Sequence, residues 1–341
     1  MDSSNASLLR KTEEEPNQLQ LKLSLPNPLP NQLKLTLPKE IWFNCYPMYL
    51  YQGFWCINLE PTIAFQTHFQ AQPTDIFITS LRKTGTTWLK ALIFSIFDRA
   101  IHPLSESPLL SHNPHELVPQ LESNVYAKSR CPDLKNDISP RIFGTHLPFL
   151  SLPDSIKQSD CKIIYLCRNP LDTFISSWLF YLNYDENKTV KPEMMEGYLE
   201  KFIEGKFPSG PFGDHVLGYW SQRMAQPGKV FFVKYEDLKA DPKGQFKLLA
   251  EFVGRPFSKE EEQLGVVDGI VELCSIQKLK EVEANKSGRV YRQIQNKWFF
   301  RRGEVGDWAN HLAPAMAQRL EKIIEEKLVG SGLTFKLHNA V

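Results

Sequence analysis

No stretch of this chain is apolar over anything like the ~20 residues that cross a bilayer, which argues against a transmembrane protein. Its six cysteines (Cys45, Cys56, Cys131, Cys161, Cys167, Cys274) form no C-x-x-C pair and no zinc-like spacing. Reduced thiols in an intracellular chain are the simpler reading, not a disulfide framework. An excess of one charge is missing too: 40 Lys and Arg stand against 39 Asp and Glu, a net +1 over 341 residues. No global field therefore points to nucleic acid or an anionic membrane. The N-terminus carries Asp2 and then Glu13, Glu14 and Glu15, without a cationic region followed by an apolar core. No secretory or transit peptide is expected, and the cytosol is the default. There is no internal repeat and no linker between domains.

What is present is an alternation. Residues 1–38 are polar and proline-bearing, which predicts a flexible arm and leaves 39–341 as one domain. An aromatic-rich segment follows from Trp42. Beyond it, "TDIFITSL", "RIFGTH", "KIIYLC" and "KVFFVKY" read as strands. Between them lie helical patterns: Trp88 to Arg99, "NPLDTFISSWLFYL", a segment ending near Gly254, and "APAMAQRLEKIIEEKL". Strands alternating with helices predict an α/β domain whose parallel sheet is covered on both faces.

One turn carries chemistry on its face. "FITSLRKTGTTWLKALIFSIF" runs apolar, breaks into Arg82-Lys83-Thr84-Gly85-Thr86-Thr87, and resumes at helical spacing. A strand feeding a helix start offers free N–H groups and the positive end of a dipole, the makings of an anion site. Gly85 permits close approach, Thr86 and Thr87 add hydroxyls, and Lys83 adds charge. The nucleoside-triphosphate loop G-x-x-x-x-G-K-[ST] does not fit, because Lys83 precedes the glycine and Ser80 stands where the first glycine belongs. Taken alone, the stretch reads equally well as a capped helix with a chance lysine.

Three further stretches bear on that choice. "IIYLCRNPLDTFISSW" ends a strand at Arg168, with Ser176 inside the next helix. "VFFVKYEDL" ends one at Tyr235, and "NKWFFRRGEVGDW" sets Arg301, Arg302 and Gly303 in a loop between tryptophans. Arginine forks bind phosphate bidentately. The plain alternatives are a surface ion pair, a core tyrosine and a solvated loop.

Together, "RKTGTTWLKAL", "CRNPLDTFISSW", "KYEDLKADP" and "RRGEVGDWANHL" resemble the cytosolic sulfotransferases, in the plant branch of that family. "YQGFW", "NPHELVPQLE" and "GTHLPF" agree in the same order, so the resemblance spans about residues 40 to 335. It implies a P-loop-like fold and transfer of a sulfuryl group from 3′-phosphoadenosine 5′-phosphosulfate (PAPS) to a hydroxyl of a small acceptor, without a metal. By resemblance Lys83, Thr84, Gly85, Thr86 and Thr87 cradle the 5′-phosphosulfate, and Trp88 stacks on adenine. Arg168, Ser176, Arg301, Arg302 and Gly303 take the 3′-phosphate, and Tyr235 touches the adenine side. Cys274, Ser275 and Ile276 fall at the nucleoside. His146 matches the catalytic base, with Lys83 meeting charge on the leaving oxygen.

Departures from the family pattern are Leu81-Arg82 where Pro is usual before the lysine, Thr84 for Ser, and Leu171 for Lys. Arg82 is expected to add charge beside the phosphate and Leu171 to face solvent on an early helix turn. His112 and His115 are too few for a metal. A kinase would need a Walker lysine and a magnesium-holding acid, for which Glu236 and Asp237 are the best remaining candidates. A non-catalytic nucleotide-binding homologue would not need Lys83 and His146 intact. The positions where many animal members carry a dimerisation motif hold Ala309, Ala313, Pro314 and Gln318, so a monomer is expected. Tyr51, Phe54, Trp55, the "NPHELVP" loop and Phe149 are expected to roof an apolar acceptor slot suited to a flavonoid, steroid or hydroxyjasmonate.

Overall fold

The computed structural model describes residues 30–42, 46–134, 139–184, 190–291 and 294–335. Most of the stretch read as an N-terminal arm, and Cys45, lie outside the described residues. The chain divides into a unit to Leu37 and a unit from Pro38 onward. Of the first, the described part contains the helix Pro30–Thr36.

In the second unit the aromatic-rich segment is a small antiparallel meander of β1 (Lys39–Trp42), β2 (Tyr46–Tyr51) and β3 (Phe54–Cys56). Tyr51 pairs with Phe54 across Gln52-Gly53, whose φ values of 53° and 83° make the two-residue turn that matches strand twist. The sequence reading recognised the aromatics here but not the strands.

The four strands read from sequence are all present: β4 (Ile76–Ser80), β5 (Ile142–Thr145), β6 (Lys162–Cys167) and β7 (Val230–Lys234). They pair in parallel in the order β5-β4-β6-β7. Their runs are apolar without alternation because both faces are covered. Ile76, Ile78, Ile164 and Leu166 pack with Leu89, Leu92 and Ile93 of α1 (Thr86–Asp98). Phe77, Ile163, Tyr165 and Cys167 share the opposite core with Phe174 and Trp178 of α2 (Pro170–Tyr184), and with Val216 and Tyr219 of α3 (Phe212–Ala225). Phe246 and Leu249 of α4 (Pro242–Phe252) join the first core, and Leu320 and Ile324 of α5 (Pro314–Leu328) the second.

Leu171 corrects an expectation. It is fully buried in the second core with Phe174 and Ile175, not turned to solvent. The first turn of α2 is packed on all sides, so an apolar residue replaces lysine there for a packing reason.

Parallel strands put all four C-terminal ends on one edge. The loop after Ser80, His146 after β5, Arg168 after β6 and Tyr235 after β7 therefore converge. β5 and β6 leave β4 on opposite sides, which makes this edge a switch point of the sheet, where ligands bind in open α/β folds.

Candidate active site

A cavity of about 660 Å³ opens over that edge. Lys83, Gly85, Thr86, Thr87, Trp88, His146, Arg168, Ser176, Tyr235, Arg301 and Gly303 all line it. Thr84 and Arg302 do not. Thr84 is fully buried and its hydroxyl donates to the Leu81 carbonyl at 2.9 Å, with the Leu166 carbonyl at 3.2 Å, tying the loop to the sheet. Arg302 turns to Asp307, 2.7 Å away. Of the nucleoside contacts read by resemblance, Ser275 and Ile276 line the cavity, whereas Cys274 is buried beside Ser95.

The loop is held in an uncommon backbone shape. Lys83 has φ 71° and Gly85 φ 111°. A Cβ at residue 85 would lie 2.7 Å from Tyr235 Cδ2, so only glycine fits. Helix α1 starts at Thr86 rather than Trp88 because Gly85 is its N-cap. Thr86 Oγ1 lies 2.7 Å from Ser80 Oγ.

The charges that bear on Lys83 are all positive. Lys83 Nζ sits 3.8 Å above the Phe180 ring and has no ion pair among the described residues. Burial, then the charges of Arg301, Arg168 and Arg82, lower its pKa to about 7. Arg168, 4% exposed, stacks 4.4 Å over Tyr235 and donates to the Glu304 carbonyl, with Asp172 3.3 Å away. The Nε atoms of Arg168 and Arg301 are buried without a partner. Trp88 meets Tyr235 edge-on at 5.5 Å.

Carboxylates hold the arginines from behind. Asp307 pairs with both Arg301 and Arg302. Burial works against its charge, yet hydrogen bonds from Arg301 and Asn310 keep it well below the usual carboxylate range. Buried Asp172 accepts from the Gly306 and Trp308 amides at 2.8 and 3.1 Å, docking the arginine loop on α2. Neither carboxylate was recognised as a site residue from sequence; the signal was Asp172 in the first turn after a strand-end arginine, and an Asp a few residues past Arg-Arg-Gly.

His146 Nδ1 lies 2.8 Å from the Ser80 carbonyl, which only accepts, so Nδ1 carries the proton and Nε2 the lone pair. Burial, then the charge of Arg82, lowers its pKa well below the usual value. Its backbone N–H donates to Glu122 Oε1 at 2.9 Å, and the same oxygen accepts from Gln120 Nε2 at 3.1 Å.

Arg82 reaches two places in the site. It borders the main cavity and a smaller cleft shared with Tyr51, Phe54, Trp55, Glu122 and His146. Its charge bears on His146, Tyr46, Cys56 and Tyr291 as well as on Lys83. Tyr51, Phe54 and Trp55 line that cleft, not the main cavity, and Phe149 packs on Tyr219 in the core. The apolar wall of the main cavity is instead Tyr46, Pro47, Ile57, Phe180, Tyr181, Tyr291 and Phe299. From the "NPHELVP" loop, His115 does reach it.

Glu236, the best acid for a magnesium reading, accepts from the Asn169 amide at 2.8 Å and does not line the cavity. Among the described residues no group of three or more His, Cys, Asp or Glu could hold a metal ion.

Residues 73–332 match the sulfotransferase domain model. Cytosolic sulfotransferase 15 of Arabidopsis thaliana is 46% identical over 308 residues, 89% of this chain and 86% of its own. A solved Arabidopsis thaliana structure, described as a candidate steroid sulphotransferase, superposes with a TM-score of 0.71 at 36% identity, covering 96% of this chain and 100% of its own. Mouse sulfotransferase SULT7A1 complexed with PAP superposes with a TM-score of 0.67 at 27% identity, covering 84% and 95%. With the domain matched over most of its length and relatives this similar, the chain belongs to the sulfotransferase family.

Proposed function

We propose that this chain moves a sulfuryl group from PAPS to a hydroxyl of a small, largely apolar acceptor in the cytosol, with His146 as base. The observation that carries the reading is the convergence of Lys83, Arg168 and Arg301 on one cavity, with Lys83 in no ion pair among the described residues and both arginine Nε atoms unpartnered there. Such a set fits a ligand with anionic groups at two ends. PAPS supplies an activated phosphosulfate at one end and a 3′-phosphate at the other.

In this reading Lys83 and the Gly85–Thr87 amides hold the phosphosulfate, and Arg168, Ser176 and Arg301 hold the 3′-phosphate. Trp88 and Tyr235 offer the aromatic edge for a base. His146 Nε2 takes the hydroxyl proton, which matters because a phenol of pKa about 10 is almost wholly protonated at pH 7. Lys83 and the loop amides meet the charge left on the departing oxygen. The names of the relatives, cytosolic sulfotransferases among them, support the compartment and the reaction.

The acceptor half is walled by Tyr46, Phe180, Tyr181, Tyr291 and Phe299, aromatic faces that suit a planar or fused-ring body of flavonoid, steroid or hydroxyjasmonate type. Incubation with radiolabelled PAPS and a panel of phenols, sterols and hydroxylated fatty acid derivatives tests this. Transfer to desulfated polysaccharide or a tyrosyl peptide as fast as to the best small acceptor would refute the acceptor class.

A further inference from the structure

Directly behind the loop lies a lysine that the reaction as described leaves unused. Lys90, on α1, is fully buried. Its Nζ meets three acceptors: the Val118 carbonyl at 2.8 Å, Gln120 Oε1 at 3.0 Å and His115 Nδ1 at 3.1 Å. The Gln120 amide is oriented by its own donation to Glu122, so its oxygen does face the lysine. Room for the ammonium exists because residue 144 is glycine. A Cβ there would lie 2.8 Å from both Cε and Nζ of Lys90.

The donor arithmetic then runs outward. An ammonium has three protons and no lone pair. With one proton on each neighbour, His115 Nδ1 must accept, and the ring proton must sit on Nε2. That atom is 2.9 Å from Thr87 Oγ1. Nε2–H therefore donates to the threonine oxygen, and the Thr87 hydroxyl proton is left for another partner. Thr87 and His115 both line the cavity. The Tyr291 hydroxyl, 3.3 Å from Nδ1, is a further donor to the same lone pair and leaves the tautomer unchanged.

We propose that Lys90 is a positioning residue for the transfer: through the His115 tautomer it makes the Thr87 hydroxyl a hydrogen-bond donor available to the anion held by the loop. The proposal rests on the donor reading given above. A neutral amine at Lys90 would reverse the chain, accepting from Nδ1–H and leaving Nε2 to take the threonine proton, so the cavity would lose that donor. Burial lowers the Lys90 pKa to about 7, and the Glu122 carboxylate works in the opposite direction. The other titratable groups around it are His115, His146 and Tyr291, with Lys83 acting on His115. An anion bound at the loop adds to the preference for the ammonium.

Two measurements on the full chain test the proposal. Nitrogen-15 NMR of histidine-labelled protein, with His115 assigned by its loss in His115→Gln, is expected to show a protonated Nε2 and a hydrogen-bonded, unprotonated Nδ1. The opposite tautomer would overturn the proposal whether or not the chain transfers sulfate. In transfer assays Lys90→Met and Thr87→Val are each expected to lower kcat roughly ten- to a hundredfold, with a smaller change in KM for PAPS. The double variant should fall short of the product of the two effects by about fivefold or more. Effects that simply multiply would show that Lys90 does not act through Thr87. Where Lys90→Met fails to fold, Gly144→Ala takes its place in the cycle, since it displaces the ammonium without removing it. A wild-type chain unable to use PAPS would refute the donor reading, and the tautomer measurement would still decide the role of Lys90.

Discussion

His146 Nδ1 lies 2.8 Å from the Ser80 carbonyl oxygen, so the histidine at the end of β5 is fixed by the last residue of β4, on the strand that launches the Lys83–Gly85 loop. One hydrogen bond thus sets both the tautomer of the histidine and its place relative to Lys83. The backbone N–H of His146, held by Glu122 at 2.9 Å, fixes the other side.

Replacing His146 by Ala is expected to lower kcat by about 10²–10⁴, the usual scale for a positioned base. Affinity for PAP should stay within about threefold, because the role proposed for His146 is toward the acceptor hydroxyl. Its depressed pKa keeps it neutral well below pH 6.5, so kcat should show no loss from histidine protonation between pH 8 and 6.5. Steady-state kinetics with calorimetry checks all three; near-native turnover in the variant would remove His146 from the mechanism.

Lys83 titrates at about 7 in the free chain, since burial and three neighbouring guanidinium groups oppose its charge. A bound polyanion favours the charged form and raises that pKa. Binding above pH 7 should therefore take up a proton, and affinity for PAP should fall as pH rises from about 7.5 to 9, by up to tenfold per unit. Calorimetry in buffers of different ionisation enthalpy reads the uptake directly. Flat or rising affinity over that range would contradict the assignment.

Arg168 and Arg301 lead to a preference for PAP over AMP. Charge-assisted hydrogen bonds contribute ~1.5–3 kcal/mol each, so at least a tenfold preference is expected. Arg168→Met and Arg301→Met should each shrink it while changing AMP affinity little. Equal affinities of the wild-type chain for the two nucleotides would be inconsistent with a 3′-phosphate site here.

Much of this was legible in the sequence because parallel strands buried on both faces leave unambiguous apolar runs, and because each strand end carries a distinctive residue: Lys83, His146, Arg168 or Tyr235. What stayed hidden depends on tertiary approach. That the Thr84 hydroxyl ties the loop to the sheet shows only in the fold, where it meets the Leu81 and Leu166 carbonyls. Leu171 sits where a helix start suggests solvent, and only the packing of α2 buries it. Lys90 did leave a trace, a lysine among Leu89, Leu92 and Ile93 on an apolar helix, but its partners come from 25 to 30 residues away. The aromatic lining of the main cavity escaped notice for a related reason. Aromatic density marked Tyr51, Phe54 and Trp55, whereas the folded chain brings Phe180, Tyr291 and Phe299 to the cavity.

A monomer is proposed for the free enzyme. Ala309, Ala313, Pro314 and Gln318 occupy the positions of the animal dimerisation motif and supply none of its side chains. Light scattering at low micromolar concentration should return the 39.3 kDa chain mass; twice that mass would refute the proposal.

The most direct test follows the sulfur. Purified chain, PAPS labelled with ³⁵S, a mixed panel of phenols and alcohols, and EDTA in excess are combined, with ATP replacing PAPS in a parallel reaction. The expected result is a labelled sulfate ester formed at the same rate with or without EDTA, and no phosphorylated acceptor from ATP. PAP binding without transfer to any acceptor, or an ATP-driven product that EDTA abolishes, would contradict the proposed sulfuryl transfer.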